Sequence, residues 1–313
     1  MKVMLLLLTL AGSAAAQTRT AHPDSARIVT SDVAHFWSAY DQLTPTMTRA
    51  DSTAVLTRVY TGRGSEGLLG YLDTHLKQAE NLLMGLGMLP RYMAAVRANT
   101  LGISSEAVRS ALRRVEEFYP DATYPAIYFV IAGFTSQGTV SHGNVVIAAE
   151  MVSADAATPR DELPPFLRNV DLTRAVLPCI LVHELIHAQQ QYAPDKSLLA
   201  QVMTEGVADF VTHKAVGCVQ TAATTYAWGE AHERELWRQF QQEMHGTDYS
   251  KWLYNGNTIK DRPDQLGYWM GYQIAEAYYN RSPDKRRAIR ELLNSQDHRA
   301  VLAASGYGEE FDK

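Results

Sequence analysis

The chain has 313 residues, of which 46% are hydrophobic and 20% are charged, and its net charge at neutral pH is −5. These proportions are those of an ordinary folded protein and exclude an intrinsically disordered chain. The negative charge argues against a nucleic-acid partner, because binding phosphate groups requires a basic surface. The length suffices for one large domain or two small ones.

The amino terminus has the pattern of a secretory signal peptide. Lys2 supplies a positive charge, residues 3–10 are almost wholly apolar, and small residues at 14–16 mark a cleavage site. We therefore assign residues 1–16 as a signal peptide and expect an exported protein, periplasmic or secreted. The apolar run is short for a membrane span, and no cysteine follows it that could carry a lipid. We expect no stable membrane insertion after cleavage.

The region from 17 to 118 is predicted to be mainly helical. Residues 17–30 are polar and are expected to form a loose leader. Helical spacing of apolar residues follows at 32–40, 52–60, 66–84, 92–97 and 105–118. This region is a prosegment, a lid or the helical half of a larger domain. We expect residues 31–118 to form one continuous globular unit with a second region, residues 119–313.

The middle of the chain changes character. Residues 124–134 and 144–152 are rich in aromatic and β-branched residues, and residues 135–143 between them contain Ser, Gly and Thr. This pattern predicts a β-hairpin. An exposed hairpin edge can bind an extended peptide as an added strand, whereas a covered edge serves only the core.

The most informative pattern is the run His183-Glu184-Leu185-Ile186-His187, which falls on a helix predicted over 172–192. Two histidines four residues apart lie on one side of a helix, so both imidazoles can face one metal ion. Pro178 either kinks this helix or starts it. A second helix is predicted from about 198 to 214, with Asp195 or Ser197 as its cap and Gly217 at its end.

The second predicted helix carries Glu205 and, one turn later, Asp209. Glu205 becomes a third metal ligand if the two helices pass side by side, and Asp209 can accept the free ring N–H of a ligand histidine. Glu184 is placed to take a proton from a zinc-bound water without binding the metal. We therefore predict one Zn²⁺ per chain, held by His183, His187 and Glu205.

The last third of the chain is predicted to be helical, over 224–245 and again from Leu266. Gly267 and Gly271 in the latter segment predict close helix packing. Tyr268 and Tyr272 share one helical face there. Either hydroxyl can donate to the oxyanion that forms when zinc-bound water attacks a carbonyl, and the alternative is that both rings are simply core.

The two cysteines, Cys179 and Cys218, form either one disulfide or two separate buried thiols, since the sequence does not contain the distance that decides it. Cys179 and His213 are also the candidates for a fourth protein ligand. A structural zinc site needs such a ligand, whereas a catalytic site keeps one position open.

The zinc motif together with Glu205-Gly206-x-Ala208-Asp209-Phe210 resembles the gluzincin group of metallopeptidases, to which thermolysin and neprilysin belong. The resemblance implies zinc ligands at His183, His187 and Glu205, a general base at Glu184, and an Asp209 that holds His183. The catalytic histidine of thermolysin has no counterpart that we can place here.

A closer resemblance, over about residues 120–285, is to an uncharacterised bacterial family of predicted zinc-dependent proteases. It includes Tyr128-Phe129-Val130-Ile131-Ala132-Gly133, Glu150-Met151 and Gly267-Tyr268-Trp269-Met270-Gly271-Tyr272. These resemblances imply an α+β, predominantly α-helical, zincin-like fold with a small sheet beside the zinc helix, and they make residues 119–313 a metallopeptidase-like region.

We therefore expect an exported zinc metallopeptidase that cleaves a peptide or protein substrate. In this mechanism Glu184 activates the zinc-bound water, and Tyr268 or Tyr272 stabilises the oxyanion. Two alternatives stay open. One is a zinc hydrolase of non-peptide esters or amides, and the other is an exported binding or scaffold protein with a structural zinc.

Overall fold

The computed structural model describes residues 19–313 except 78, 87, 88, 165, 166, 169, 256–258, 261, 310, 312 and 313. The predicted signal peptide at 1–16 lies outside the described residues. Within the described part of the chain, every helix is too short or too polar to cross a membrane. The described fold is α+β and mostly helical, as the sequence predicts.

The first half of the chain forms a series of helices. They are α1 (Ser31–Tyr40), α2 (Arg49–Val59), α3 (Glu66–Tyr71), α4 (Ala79–Leu86), α5 (Pro90–Leu101) and α6 (Ser105–Phe118). Hydroxyl side chains of Thr48, Ser65 and Ser104 cap α2, α3 and α6 by accepting backbone N–H groups. The single helix predicted over 66–84 is wrong, because a π-helical turn at Leu72–Leu76 and the positive φ of Lys77 (59°) interrupt it.

A small mixed sheet is packed among these helices. Its strands are β1 (Ile28–Val29), β2 (Ile127–Val130), β3 (Gly138–Ser141) and β4 (Asn144–Ala148), in the order β1-β2-β4-β3. β1 and β4 run parallel to β2, and β3 runs antiparallel to β4. The polar leader predicted to be loose is therefore wrong over 28–29, since these residues form an edge strand.

The hairpin predicted between 124–134 and 144–152 is also wrong. These segments pair in parallel, with Ile127 opposite Val145. The hairpin is instead β3–β4, closed by His142 and Gly143, whose positive φ values (47° and 73°) suit a two-residue turn with the twist of the strands. The Ser, Gly and Thr residues of β3 are typical of a turn, so its composition alone does not predict a strand.

The second half supplies the remaining helices. They are α7 (Leu177–Gln189), α8 (Leu198–Val216), α9 (Ala223–Ala231), α10 (Glu233–Glu243), α11 (Leu266–Arg281), α12 (Lys285–Leu293) and α13 (His298–Ser305). Pro178 lies in the first turn of α7 and so starts the helix. Ser197 caps α8, and Gly217 (φ 80°) ends it, as predicted. The helix predicted over 224–245 is two helices that break at His232.

The helix that carries the zinc motif lies between the sheet and two further helices. β3 and β4 pack on one side of α7, and α8 packs against both α7 and α11. Gly206 of α8 and Gly271 of α11 meet backbone to backbone, which confirms the close helix packing predicted for Gly271. Cys179 at the start of α7 and Cys218 just after α8 form a disulfide with a Cα–Cα distance of 5.7 Å. The disulfide thereby links α7 and the end of α8, the two helices that carry the predicted metal ligands.

A buried carboxylate stabilises the end of β2. Glu150 is completely buried, and its Oε1 accepts the backbone N–H groups of Ala132 (2.9 Å) and Phe134 (3.2 Å). Among the described residues, Oε2 has no hydrogen-bond partner. Burial raises the pKa of Glu150 from 4.5 to about 7.

We expect the free energy of unfolding to decrease as the pH rises from 4.5 to about 7, the window of this pKa shift. In that window the folded protein keeps a proton on Glu150 that the unfolded chain has lost, so each rise in pH favours unfolding. The contribution of Glu150 to the free energy of unfolding falls by roughly 3 kcal/mol over the whole window. Glu150→Gln should remove this contribution. Denaturant titrations across this window measure it, with the exposed Glu117→Gln as control. An equal pH dependence in wild type and Glu150→Gln would contradict the assignment.

Candidate metal centre

His183 and His187 lie one turn apart on α7, and Glu205 faces them from α8. The two Nε2 atoms are 2.9 Å apart, and Glu205 Oε2 lies 3.4 Å from His183 Nε2 and 3.2 Å from His187 Nε2. Ligand atoms around a tetrahedral zinc, at bond lengths of about 2.1 Å, are about 3.4 Å apart. These three residues therefore fit a metal ion. They are the only His, Cys, Asp or Glu group with such spacing in the described part of the chain.

Burial and charge act against each other at this site. Burial lowers the pKa of His183, but the hydrogen bonds with Asp209 and Glu205 outweigh it and raise the pKa to about 10. Burial likewise opposes ionisation of Glu205, yet the neighbouring His187 and His183 hold its pKa well below the usual range. A metal ion binds neutral imidazoles, so metal binding at this site must release protons.

Asp209 makes the contact with a ligand histidine that the sequence predicts. Its Oδ1 lies 2.9 Å from His183 Nδ1 and also accepts the backbone N–H of Gln220 at 3.2 Å. Its Oδ2 accepts the hydroxyl of Tyr226 at 3.1 Å. Asp209 is fully buried, so these donors determine its orientation. A carboxylate in this position places the proton of His183 on Nδ1 and leaves Nε2 for the metal.

Asp209→Asn is expected to lower metal affinity about 10- to 100-fold, because the amide no longer fixes the tautomer and orientation of His183. Competition with a chromogenic zinc chelator measures the change. The exposed Asp248→Asn is the matched control and should leave affinity unchanged. If both variants bind metal like the wild type, Asp209 does not orient the ligand.

Two partners of the ligands were missed by sequence reasoning. Gln190 accepts the Nδ1–H of His187 (2.8 Å) and donates to the carbonyl of Thr204 on α8 (2.7 Å). Tyr254 donates to Glu205 Oε1 (2.7 Å), which leaves Oε2 for the metal. The spacing of Gln190 three residues after His187 was an available signal. Tyr254 had none, since it lies 49 residues from Glu205 along the chain.

The structure brings two of the predicted catalytic side chains close to the ligands. Glu184 is buried beside Gly138 of β3, where an added Cβ would lie 2.6 Å from Glu184 Cγ, and burial raises the pKa of Glu184. The ring of Tyr268 stacks on His183 with centroids 6.0 Å apart. Glu184 thus packs against the edge strand β3 and interacts electrostatically with His187, His183 and Glu205.

The third predicted catalytic residue, Tyr272, is engaged elsewhere. Its hydroxyl pairs with His213 Nδ1 at 2.7 Å and donates to Glu276 Oε1 at 3.4 Å. This contact also occupies His213, one candidate for a fourth ligand, and the disulfide occupies the other, Cys179. The described residues therefore offer three candidate ligands, His183, His187 and Glu205.

Comparison with known protein families finds a match. The family model of the gliding motility protein GldB, a lipoprotein family, matches residues 97–309, which is more than half of the chain. The matched segment includes α7, α8 and α11, and with them all three candidate ligands. No curated protein and no solved structure matches the chain significantly.

This match overturns the functional predictions made from the sequence. The predicted membership of the gluzincins or of the uncharacterised zinc-protease family is wrong. The predicted function as an exported zinc hydrolase or peptidase is also wrong, and so are the descriptions as an enzyme and a metalloprotease. The physical reason is that two short motifs show only where a helix pair can hold a metal. Turnover depends on the whole site around it, so the same ligands occur without hydrolysis.

The family agrees with the broader prediction of an exported protein of the cell envelope. The matched segment begins within α5 and ends after α13, and it therefore includes the candidate metal centre and the helices around it. The chain belongs to the GldB family of gliding motility proteins.

Proposed function

We propose that this protein is a cell-envelope component of bacterial gliding motility that binds one divalent metal ion through His183, His187 and Glu205. The motility role is supported by the family match over 97–309. The metal is supported by one observation, the three ligand atoms that lie within 4.8 Å of one another.

Zinc is the metal that this donor set favours, since two imidazoles and one carboxylate suit it better than Mg²⁺ or Ca²⁺, which prefer oxygen ligands. The bound ion supplies a bond between α7 and α8. Asp209 extends this link to the segment after α8, through the backbone N–H of Gln220. We infer a binding role for the ion, in which it stabilises the arrangement of these helices.

The finer parts of the localisation and fold predictions belong to the same proposal. A periplasmic location is supported by the disulfide between Cys179 and Cys218, because disulfides persist in oxidising compartments. A zincin-like arrangement is supported by the packing of β3 and β4 against α7. We propose a protein partner and no nucleic acid, in agreement with the acidic composition.

Metal content of the purified protein tests the centre. We expect one zinc per chain in the wild type, loss of zinc in Glu205→Ala, and retention in the exposed control Glu235→Ala. Elemental mass spectrometry after gel filtration measures all three, and circular dichroism checks that each variant is folded. A folded wild type that stays free of metal after reconstitution would disprove the centre.

The motility role is tested in the source bacterium. Deleting the gene should abolish gliding, and Glu205→Gln should impair gliding at an equal protein level. Microscopy of cell translocation measures the phenotype. Normal gliding after deletion would contradict the role itself, whereas full rescue by Glu205→Gln would contradict only the part played by the metal.

A further inference from the structure

A groove of about 1040 Å³ lies apart from the metal ligands. It is bordered by α9, α11, the start of α7 and the segment 217–225. None of the three candidate ligands lines it, and within the described residues no lysine or arginine does. Its carboxylates are Asp171, Glu230, Asp264 and Glu276.

Three of these carboxylates form no ion pair with another described residue. Glu276 pairs with Lys214 at 2.9 Å. For Asp171, Glu230 and Asp264, the described part of the chain provides no ion pair. Asp264 is half-buried, and burial raises its pKa, the direction expected for a carboxylate that no neighbouring cation stabilises. The groove therefore has negative charge that the protein itself does not neutralise.

Polar groups without hydrogen-bond partners in the wall of the groove are a second indication of a ligand, independent of the charge. Thr221 lines the groove and is only 3% exposed, yet its Oγ1 has no hydrogen-bond partner among the described residues. The same holds for Oε1 of the neighbouring Gln220, which can only accept a hydrogen bond. Buried polar groups without partners are costly and are normally satisfied. A ligand that donates hydrogen bonds would satisfy both.

Within the described residues, the acidic groups of the groove do not form a three-ligand metal site. The groove carboxylates do not form a described group of three ligand atoms within 4.8 Å, in contrast to the candidate metal centre. Several separate cationic groups can instead each reach one carboxylate. The volume is at the upper end of what small-molecule sites offer, so it has room for more than one side chain.

We propose that this groove binds a basic segment of a partner protein, with lysine or arginine side chains directed to Asp171, Glu230 and Asp264. Arginine suits the wall best, because its planar guanidinium offers five donors to carboxylate, hydroxyl and amide oxygens. The proposal rests on charge and unpaired acceptors, and it holds whether or not the metal centre is occupied.

The probe is a fluorescent nine-residue peptide of alternating glycine and arginine, and its matched control has citrulline in place of arginine. Citrulline keeps the shape of the arginine side chain and removes its positive charge. Fluorescence anisotropy should show binding of the arginine peptide alone. Glu230→Gln should weaken it by roughly twofold to fivefold, as the loss of one exposed ion pair does.

The double variant Glu230→Gln/Asp264→Asn should weaken binding further, and Glu235→Gln on α10, outside the groove, should leave it unchanged. Thermal unfolding checks the fold of each variant. Glu230 and Asp171 are exposed, so Glu230→Gln and Asp171→Asn still decide the question if the double variant unfolds. No binding, equal binding of both peptides, or an equal loss in Glu235→Gln would each overturn the proposal.

Discussion

Gly271→Ala is expected to destabilise the folded protein by more than about 3 kcal/mol. Overpacking a tight contact typically costs roughly 1–3 kcal/mol, and more where the backbone must shift. The added Cβ would lie 2.0 Å from the carbonyl oxygen of Val202 and 3.0 Å from the Cα of Gly206. Both atoms belong to the backbone of α8, so no side-chain rotation relieves the clash.

Denaturant unfolding measures this effect, and Gly246→Ala is the matched control. A Cβ on Gly246 meets nothing closer than 3.3 Å, so its free energy of unfolding should stay close to that of the wild type. Because Glu205 adjoins Gly206, a shift of α8 in Gly271→Ala should also weaken metal binding. A loss below 1 kcal/mol in Gly271→Ala, about the level of an ordinary surface change, would show that α8 and α11 are not in this close contact.

Saturation with zinc is expected to stabilise the protein by about 4 kcal/mol at a free zinc concentration a thousandfold above Kd. The gain arises because the folded chain brings ligands from α7 and α8 together, whereas the unfolded chain keeps them apart. The side chains of His183 and Glu205 are 1% and 9% exposed, so the ion would be bound largely away from solvent.

Denaturant unfolding in buffered zinc and in chelator measures this stabilisation. Glu205→Gln should abolish most of the difference, and the exposed control Glu235→Gln should retain it. Equal stability of the wild type in zinc and in chelator would show that the ion does not link α7 to α8. Disulfide reductants are left out of both samples, since the bond between Cys179 and Cys218 joins the same helices.

Local patterns in the sequence determined the helices of the candidate site. The helical spacing of His183 and His187, the cap at Ser197 and the stop at Gly217 each depend on neighbours within a few residues. Such short-range geometry is the same in any fold. The mostly helical character and the helix pair were predictable for that reason, whereas the breaks at Leu72–Leu76 and His232 were not, since the helical spacing of apolar residues continues through both.

Only the tertiary structure decided what joins distant segments. The parallel pairing of β2 with β4, the contact of Tyr254 with Glu205 and the disulfide all depend on where the chain returns, which no local pattern contains. The groove has the same origin, because its carboxylates come from separate elements. The sequence by itself thus determined which residues share a helix face at the candidate metal centre. The packing of elements far apart in the chain determined which distant side chains surround that face. The same packing formed the groove.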